Sequence, residues 1–137
     1  MIEHQVDGEA DVWRSRRGTL RMWMPRPSLL RSIVIGHFDV ELAKAFLGYV
    51  EQRIAHGEVL TGFHDWSAVE SYDSETRKML TRWTDVHRSS FQRIVIYTES
   101  RIMRMGIATA KIILGSIVDA VGTRDALDRL IAEAGKK

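Results

Sequence analysis

The 137-residue chain is 45% hydrophobic and carries 20 Lys and Arg against 18 Asp and Glu, for a net charge of +2. These values argue against disorder and give no basic excess, so we expect a folded domain that binds no nucleic acid. Cysteine is absent, which excludes disulfides, thiolate metal sites and cysteine nucleophiles. No apolar run is long enough to span a membrane and no signal peptide is visible, so a cytoplasmic location is expected. One α/β domain is expected over residues 10–135, behind an N-terminal arm of residues 1–9.

The first third of the chain has the pattern of β-strands. The segments 12–17 and 19–24 carry most of its apolar residues and flank Gly18, which predicts two strands joined by a bend. The two prolines of the chain follow, and they end the second strand or confine it to a sheet edge. A β-branched run over residues 32–36 then predicts a buried strand.

Helices and strands alternate over the rest of the chain. Apolar residues three and four apart predict the helices, and a side chain suited to capping precedes each of them. The predicted elements are a helix over 40–56 capped by Asp39, a strand over 58–63, a helix from Asp73 or Ser74 to 87, a strand over 92–98, a helix over 101–114 capped by Ser100, a strand over 116–121 and a helix capped by Thr123. This alternation predicts a largely parallel sheet with crossover helices.

The motifs of common enzymes are absent. The sequence has no glycine-rich phosphate loop, no G-x-S-x-G elbow and no histidine pair with metal-ligand spacing. His64 and Asp65 form an adjacent pair at a predicted strand end, where we interpret Asp65 as accepting backbone N–H groups of a turn. Trp66 is then expected in a partly exposed loop. We expect no catalytic residue, no metal and no cofactor; a hydrolase using His64 and Asp65 is the least favoured reading.

The segment from residue 60 to 76 resembles a known family. It contains Asp65-Trp66-Ser67-Ala68-Val69 and then Tyr72-Asp73-Ser74 before a helix. This pattern resembles the STAS domain of anti-sigma-factor antagonists, whose fold is that of the stage II sporulation protein AA. That family has D-[LFW]-S-x-[VL] and then D-S at this place. A diverged branch with the pattern F-D-W-x-A-x-x-x-Y-D is most similar, although this chain has His64 inserted between Phe63 and Asp65. The resemblance covers about residues 10–135. It implies a mostly parallel sheet with an antiparallel N-terminal strand and with helices packed mainly on one face.

The resemblance also implies a regulatory function that is not enzymatic. In the family, a partner kinase phosphorylates the serine of the D-S pair, and the position that matches is Ser74. A kinase-type anti-sigma factor is therefore a candidate partner. The expected partner surface consists of Asp65, Trp66, Ser67, Tyr72, Asp73, Ser74 and Thr76. The chain departs from the family in having Glu75-Thr76 where a small residue and Gly usually follow the serine. Ser74 is also interpreted as an exposed residue whose side chain caps the helix.

The helix over 101–114 carries more apolar residues than one stripe can bury. An alternative function is therefore a carrier of a small apolar ligand or lipid, in a pocket under this helix. The residues of this apolar ligand or dimer face are Met103, Met105 and Ile112. We expect Met105 and Ile112 to be covered by residues 1–24 or by the second subunit of a homodimer.

Overall fold

The computed structural model describes residues 2–136. The strands and helices alternate from the fourth strand onward, as the sequence pattern predicts. In chain order they are β1 Glu3–Asp7, β2 Ala10–Arg14, β3 Gly18–Arg26, β4 Leu29–Phe38, α1 Val40–Ile54, β5 Leu60–Tyr72, α2 Ser74–Val86, β6 Phe91–Tyr97, α3 Arg101–Leu114, β7 Val118–Val121 and α4 Arg124–Ala134. The predicted caps Asp39, Ser100 and Thr123 are confirmed, because each side chain accepts a hydrogen bond from a backbone N–H of the first turn of its helix.

The described strands form one sheet in the order β1-β2-β3-β4-β5-β6-β7. Strands β1 to β4 pair antiparallel, and β4 to β7 pair parallel. The helices α1, α2 and α3 each connect one parallel strand to the next, which places them on the same face of the sheet. The α/β class with helices mainly on one face is confirmed. The antiparallel part contains the three strands β1, β2 and β3, where the sequence pattern predicted two strands and the family resemblance implied one.

Two hydrophobic clusters fill the two faces of the sheet. The larger cluster joins the sheet to α1 and α3, and it includes Trp66 of β5. The smaller cluster packs α4 through Leu127 against the opposite face and includes Phe63. Because side chains alternate along a strand, β5 directs His64 and Trp66 toward the larger cluster and Phe63 and Asp65 toward α4.

Two expectations about strand bounds need correction. Within the expected arm, residues 3–7 form the exposed edge strand β1, which pairs with β2 through a hairpin; residue 1 lies outside the described residues. The strand expected to end at His64-Asp65 instead continues to Tyr72. It continues because β4 runs on to Phe38, which pairs with Tyr72 across two irregularities in register.

Candidate functional site

The start of α2 presents an exposed serine at a helix end that has no side-chain cap. Ser74 is the first residue of the helix and is exposed, as expected. Asp73 is in the N-cap position, but its side chain makes no hydrogen bond to α2. No hydrogen bond among residues 2–136 involves the backbone N–H of Ser74 or Glu75. The expectation that Asp73 or the Ser74 side chain caps this helix is therefore wrong.

Asp73 instead binds the neighbouring elements. Its Oδ1 lies 2.8 Å from Nε2 of His37, and its Oδ2 accepts from the backbone N–H of Val40 at 3.3 Å. Because a carboxylate only accepts, His37 donates through Nε2, and its Nδ1 lies 2.7 Å from Oγ of Ser71. The cluster of Ser71, His37 and Asp73 thus joins the ends of β4 and β5 to the first residue of α1.

This cluster is not apparent in the sequence, because Ser71 and Asp73 lie 34 and 36 residues after His37. The feature that could have revealed the cluster is the parallel register of β4 and β5, in which His37 pairs with Ser71. Serine, histidine and aspartate are also the residue types of the hydrolase triad. Here the carboxylate of Asp73 also accepts a hydrogen bond from the first N–H of α1, so it has a structural role.

Asp65 is a buried anion on the opposite face of the sheet. Its Oδ2 lies 2.6 Å from the guanidinium of Arg124 on α4, and its Oδ1 accepts from Oγ of Ser67 at 2.6 Å. Burial alone would raise the pKa of Asp65, but the hydrogen bonds from Ser67 and Arg124 outweigh it and hold the pKa below its usual 3.8. The ion pair between Asp65 and Arg124 therefore links β5 to α4.

Burial removes three residues from the expected partner surface. Trp66 is buried in β5, where its Nε1 donates to Oγ of Ser32 at 3.0 Å, so the expected exposed loop at this tryptophan is wrong. Thr76 is buried and donates to the carbonyl of Phe38 at 3.0 Å. Asp65 is the third. The residues of that surface that stay at least partly accessible are Ser67, Tyr72, Asp73 and Ser74.

A cavity of about 100 Å³ lies under α2 and α3. Its lining includes Phe46, His64, Trp66, Leu80, Trp83 and Met103. The buried residues of α2 are Thr76, Thr81 and Thr84. These small side chains do not fill the space between α2 and the sheet, which leaves an almost wholly apolar cavity there.

The apolar residues of α3 separate into two faces. Met103 is buried and lines the cavity, whereas Met105 and Ile112 are 64% and 84% exposed. The expectation that residues 1–24 cover them is wrong for the described part of that segment. Strands β1 to β3 lie at the sheet edge away from β7 and α3. Met105 and Ile112 are seven residues apart, so they lie on one side of the helix.

Residues 2–136 contain no group of three or more His, Asp or Glu side chains that could hold a metal ion. None of the helices in that range is long and apolar enough to cross a membrane.

Comparison with known proteins identifies similar structures. No protein-family model and no curated protein sequence matches this chain. An uncharacterized protein of the DUF3478 family from Shewanella loihica PV-4, with a SpoIIAA-like fold, has a TM-score of 0.59 and 14% identity. The match covers 94% of this chain and 93% of that one.

The anti-sigma factor antagonist SpoIIAA is similar in both of its phosphorylation states. Its unphosphorylated form has a TM-score of 0.58 and 16% identity, with 82% of this chain and 97% of SpoIIAA covered. The phosphorylated Bacillus cell fate determinant SpoIIAA has a TM-score of 0.58 and 17% identity, with 81% and 98% covered. The chain therefore has the SpoIIAA-like fold, and the resemblance inferred from residues 65–74 is confirmed at the level of the fold.

Proposed function

We propose that this protein is a regulatory module that binds a protein partner, not an enzyme, and that the partner binds at the start of α2. The observation that carries the proposal is the exposed Ser74 at a helix N-terminus whose first N–H groups are open. The similar protein SpoIIAA, an anti-sigma factor antagonist, exists in phosphorylated and unphosphorylated forms. A kinase-type anti-sigma factor is accordingly the kind of partner we propose.

Phosphorylation of Ser74 would change this surface strongly. A phosphate adds about two negative charges, and a helix N-terminus stabilises an anion through its open N–H groups and its dipole. Asp73 does not compete for those groups, because its carboxylate is bound to His37 and Val40. The added charge lies beside Asp73 and Glu75, so it would repel a partner surface that is acidic and release the partner.

A comparative capture experiment tests the proposal. Wild-type protein, Ser74→Glu and Ser74→Ala are immobilised and exposed to lysate of the cells that produce the protein, and bound proteins are quantified by mass spectrometry. Ser89→Glu is the matched control, because Ser89 is also exposed and lies beyond the other end of α2. We expect one partner that binds wild type, Ser74→Ala and Ser89→Glu and is lost from Ser74→Glu. Equal binding to all four proteins would contradict the proposal.

The cluster of Ser71, His37 and Asp73 provides a direct test of the non-enzymatic part. We propose that this cluster is structural. Wild-type protein should then hydrolyse p-nitrophenyl acetate no faster than Ser71→Ala. A hydrolysis rate that depends on Ser71 would show that the cluster is catalytic.

A second candidate function is binding of a small apolar ligand in the cavity under α2. The cavity and its apolar lining favour it. Its size limits the ligand, because an engineered apolar cavity of about 150 Å³ in another protein holds one benzene molecule. A cavity of about 100 Å³ suits a compact molecule of similar or smaller size, which argues against a whole lipid.

A further inference from the structure

A buried histidine lies in the wall of the apolar cavity, beside the buried threonines of α2. His64 is 2% exposed, and burial together with the nearby Arg31 lowers its pKa from 6.5 to about 3, so its ring is neutral at physiological pH. Its Nδ1 lies 2.6 Å from Oγ of Ser32. Among the described residues, none makes a hydrogen bond to its Nε2. The ring lies over Gly62, where any Cβ would come within 2.6 Å of Nε2.

The hydrogen bonds of Ser32 determine where the proton of His64 lies. The indole N–H of Trp66 only donates, and it donates to Oγ of Ser32. The serine hydroxyl then directs its own hydrogen to Nδ1 of His64, since this is the only other partner of Oγ within residues 2–136. A neutral imidazole carries one proton, so Nε2 of His64 bears it. His64 therefore places an N–H donor in the wall of the cavity, and no described residue accepts a hydrogen bond from it.

We infer that the cavity selects a compact apolar molecule with one uncharged hydrogen-bond acceptor, such as a ketone, and that Nε2 of His64 donates to that acceptor. This inference rests on the second candidate function above. An apolar molecule that covered this N–H group would leave it without a hydrogen bond, so a ligand that accepts from it gains over an apolar molecule of the same shape. An ionised carboxylate is disfavoured, because the apolar walls would desolvate its charge.

A pair of isosteric ligands tests the inference. Cyclopentanone and methylenecyclopentane differ only by the exchange of a carbonyl oxygen for a CH₂ group, and their binding is measured by NMR titration of the full chain. We expect cyclopentanone to bind about five- to tenfold more tightly to wild type. The preference should vanish in His64→Phe and persist in the control His56→Phe, whose exposed histidine lies outside the cavity.

Two further variants show where the ligands bind. Ala110→Leu fills the cavity from α3 and should abolish binding of both ligands, whereas Ala108→Leu adds the same atoms on the exposed side and should not. Long-range ¹H–¹⁵N spectra of wild type should show the proton of His64 on Nε2 and a shift of that signal with cyclopentanone. This measurement tests the inference even if His64→Phe does not fold.

The outcomes separate the two claims. Equal affinities for the two ligands, a preference that survives in His64→Phe, or a proton on Nδ1 would overturn the role of His64 and leave the cavity as a ligand site. Binding of neither ligand to wild type would overturn both this inference and the second candidate function.

Discussion

His64 is a titratable group held neutral in the core, and this has a consequence for stability. Its pKa of about 3 in the folded chain lies below the ordinary 6.5 that it regains on unfolding. Between these values the unfolded chain binds a proton that the folded chain does not, so the free energy of unfolding falls as the pH falls. We predict a loss of about 1.4 kcal/mol per pH unit between about pH 6 and pH 4 from this residue alone.

Urea denaturation at several pH values measures this effect. The slope should decrease by about that amount in His64→Phe and stay unchanged in His56→Gln, which alters an exposed histidine. Arg31 is the charged neighbour that also lowers the pKa of His64, and its own charge is constant over this range. If His64→Phe keeps the full slope, then His64 is not neutral and buried in solution.

Asp73 is expected to contribute more to stability than Ser74, although both begin α2. Replacement of Asp73 by Ala removes the hydrogen bonds to His37 and to the first N–H of α1, which should cost about 1–2 kcal/mol. Ser74→Ala removes no hydrogen bond that the structure contains and should change the free energy of unfolding by less than about 0.5 kcal/mol. Urea denaturation compares the two variants. Similar losses for both would mean that Ser74 has a structural partner in solution.

At the scale of elements, local signals predicted the helices well and the long strand poorly. The bounds of α3 were predicted as 101–114, and the capping residues before α1, α3 and α4 were identified, because caps and apolar stripes lie within a few residues of each other. The length of β5 depends on pairing with β4, which no local pattern contains. The exposure of Ser74 follows from its place at a helix start and was predicted correctly. The hydrogen bond from the first N–H of α1 to Asp73 joins distant parts of the chain and was not predicted.

The gap between α2 and the sheet is a further feature that periodicity could not predict. The apolar residues Met79, Leu80 and Trp83 of α2 are only partly buried and Val86 is exposed, whereas the threonines of α2 are buried. Ala110→Leu should fill part of this gap and raise the free energy of unfolding by about 1 kcal/mol, at about 24 cal/mol per Å³ of cavity removed. Ala108→Leu is the exposed control and should have little effect. Destabilisation by Ala110→Leu would indicate overpacking, and hence that the space is absent in solution.

At the scale of the whole molecule, the exposed apolar side of α3 suggests self-association. Ile102, Met105 and Ile112 are each more than half exposed on this helix. We predict a twofold dimer through this side, since a small protein commonly buries such a face against a second copy. Light scattering should give the mass of a dimer for wild type and of a monomer for the double variant Met105→Glu, Ile112→Glu. A monomeric wild type would contradict this prediction.

The central claim is that Ser74 at the start of α2 switches binding of a protein partner. The most direct test is site-resolved mass spectrometry of the protein isolated from the cells that produce it, in its free and partner-bound fractions. We predict a single phosphoryl group on Ser74 in the free fraction and unmodified Ser74 in the bound fraction. Ser74 unmodified in both fractions, or equally phosphorylated in both, would contradict the claim.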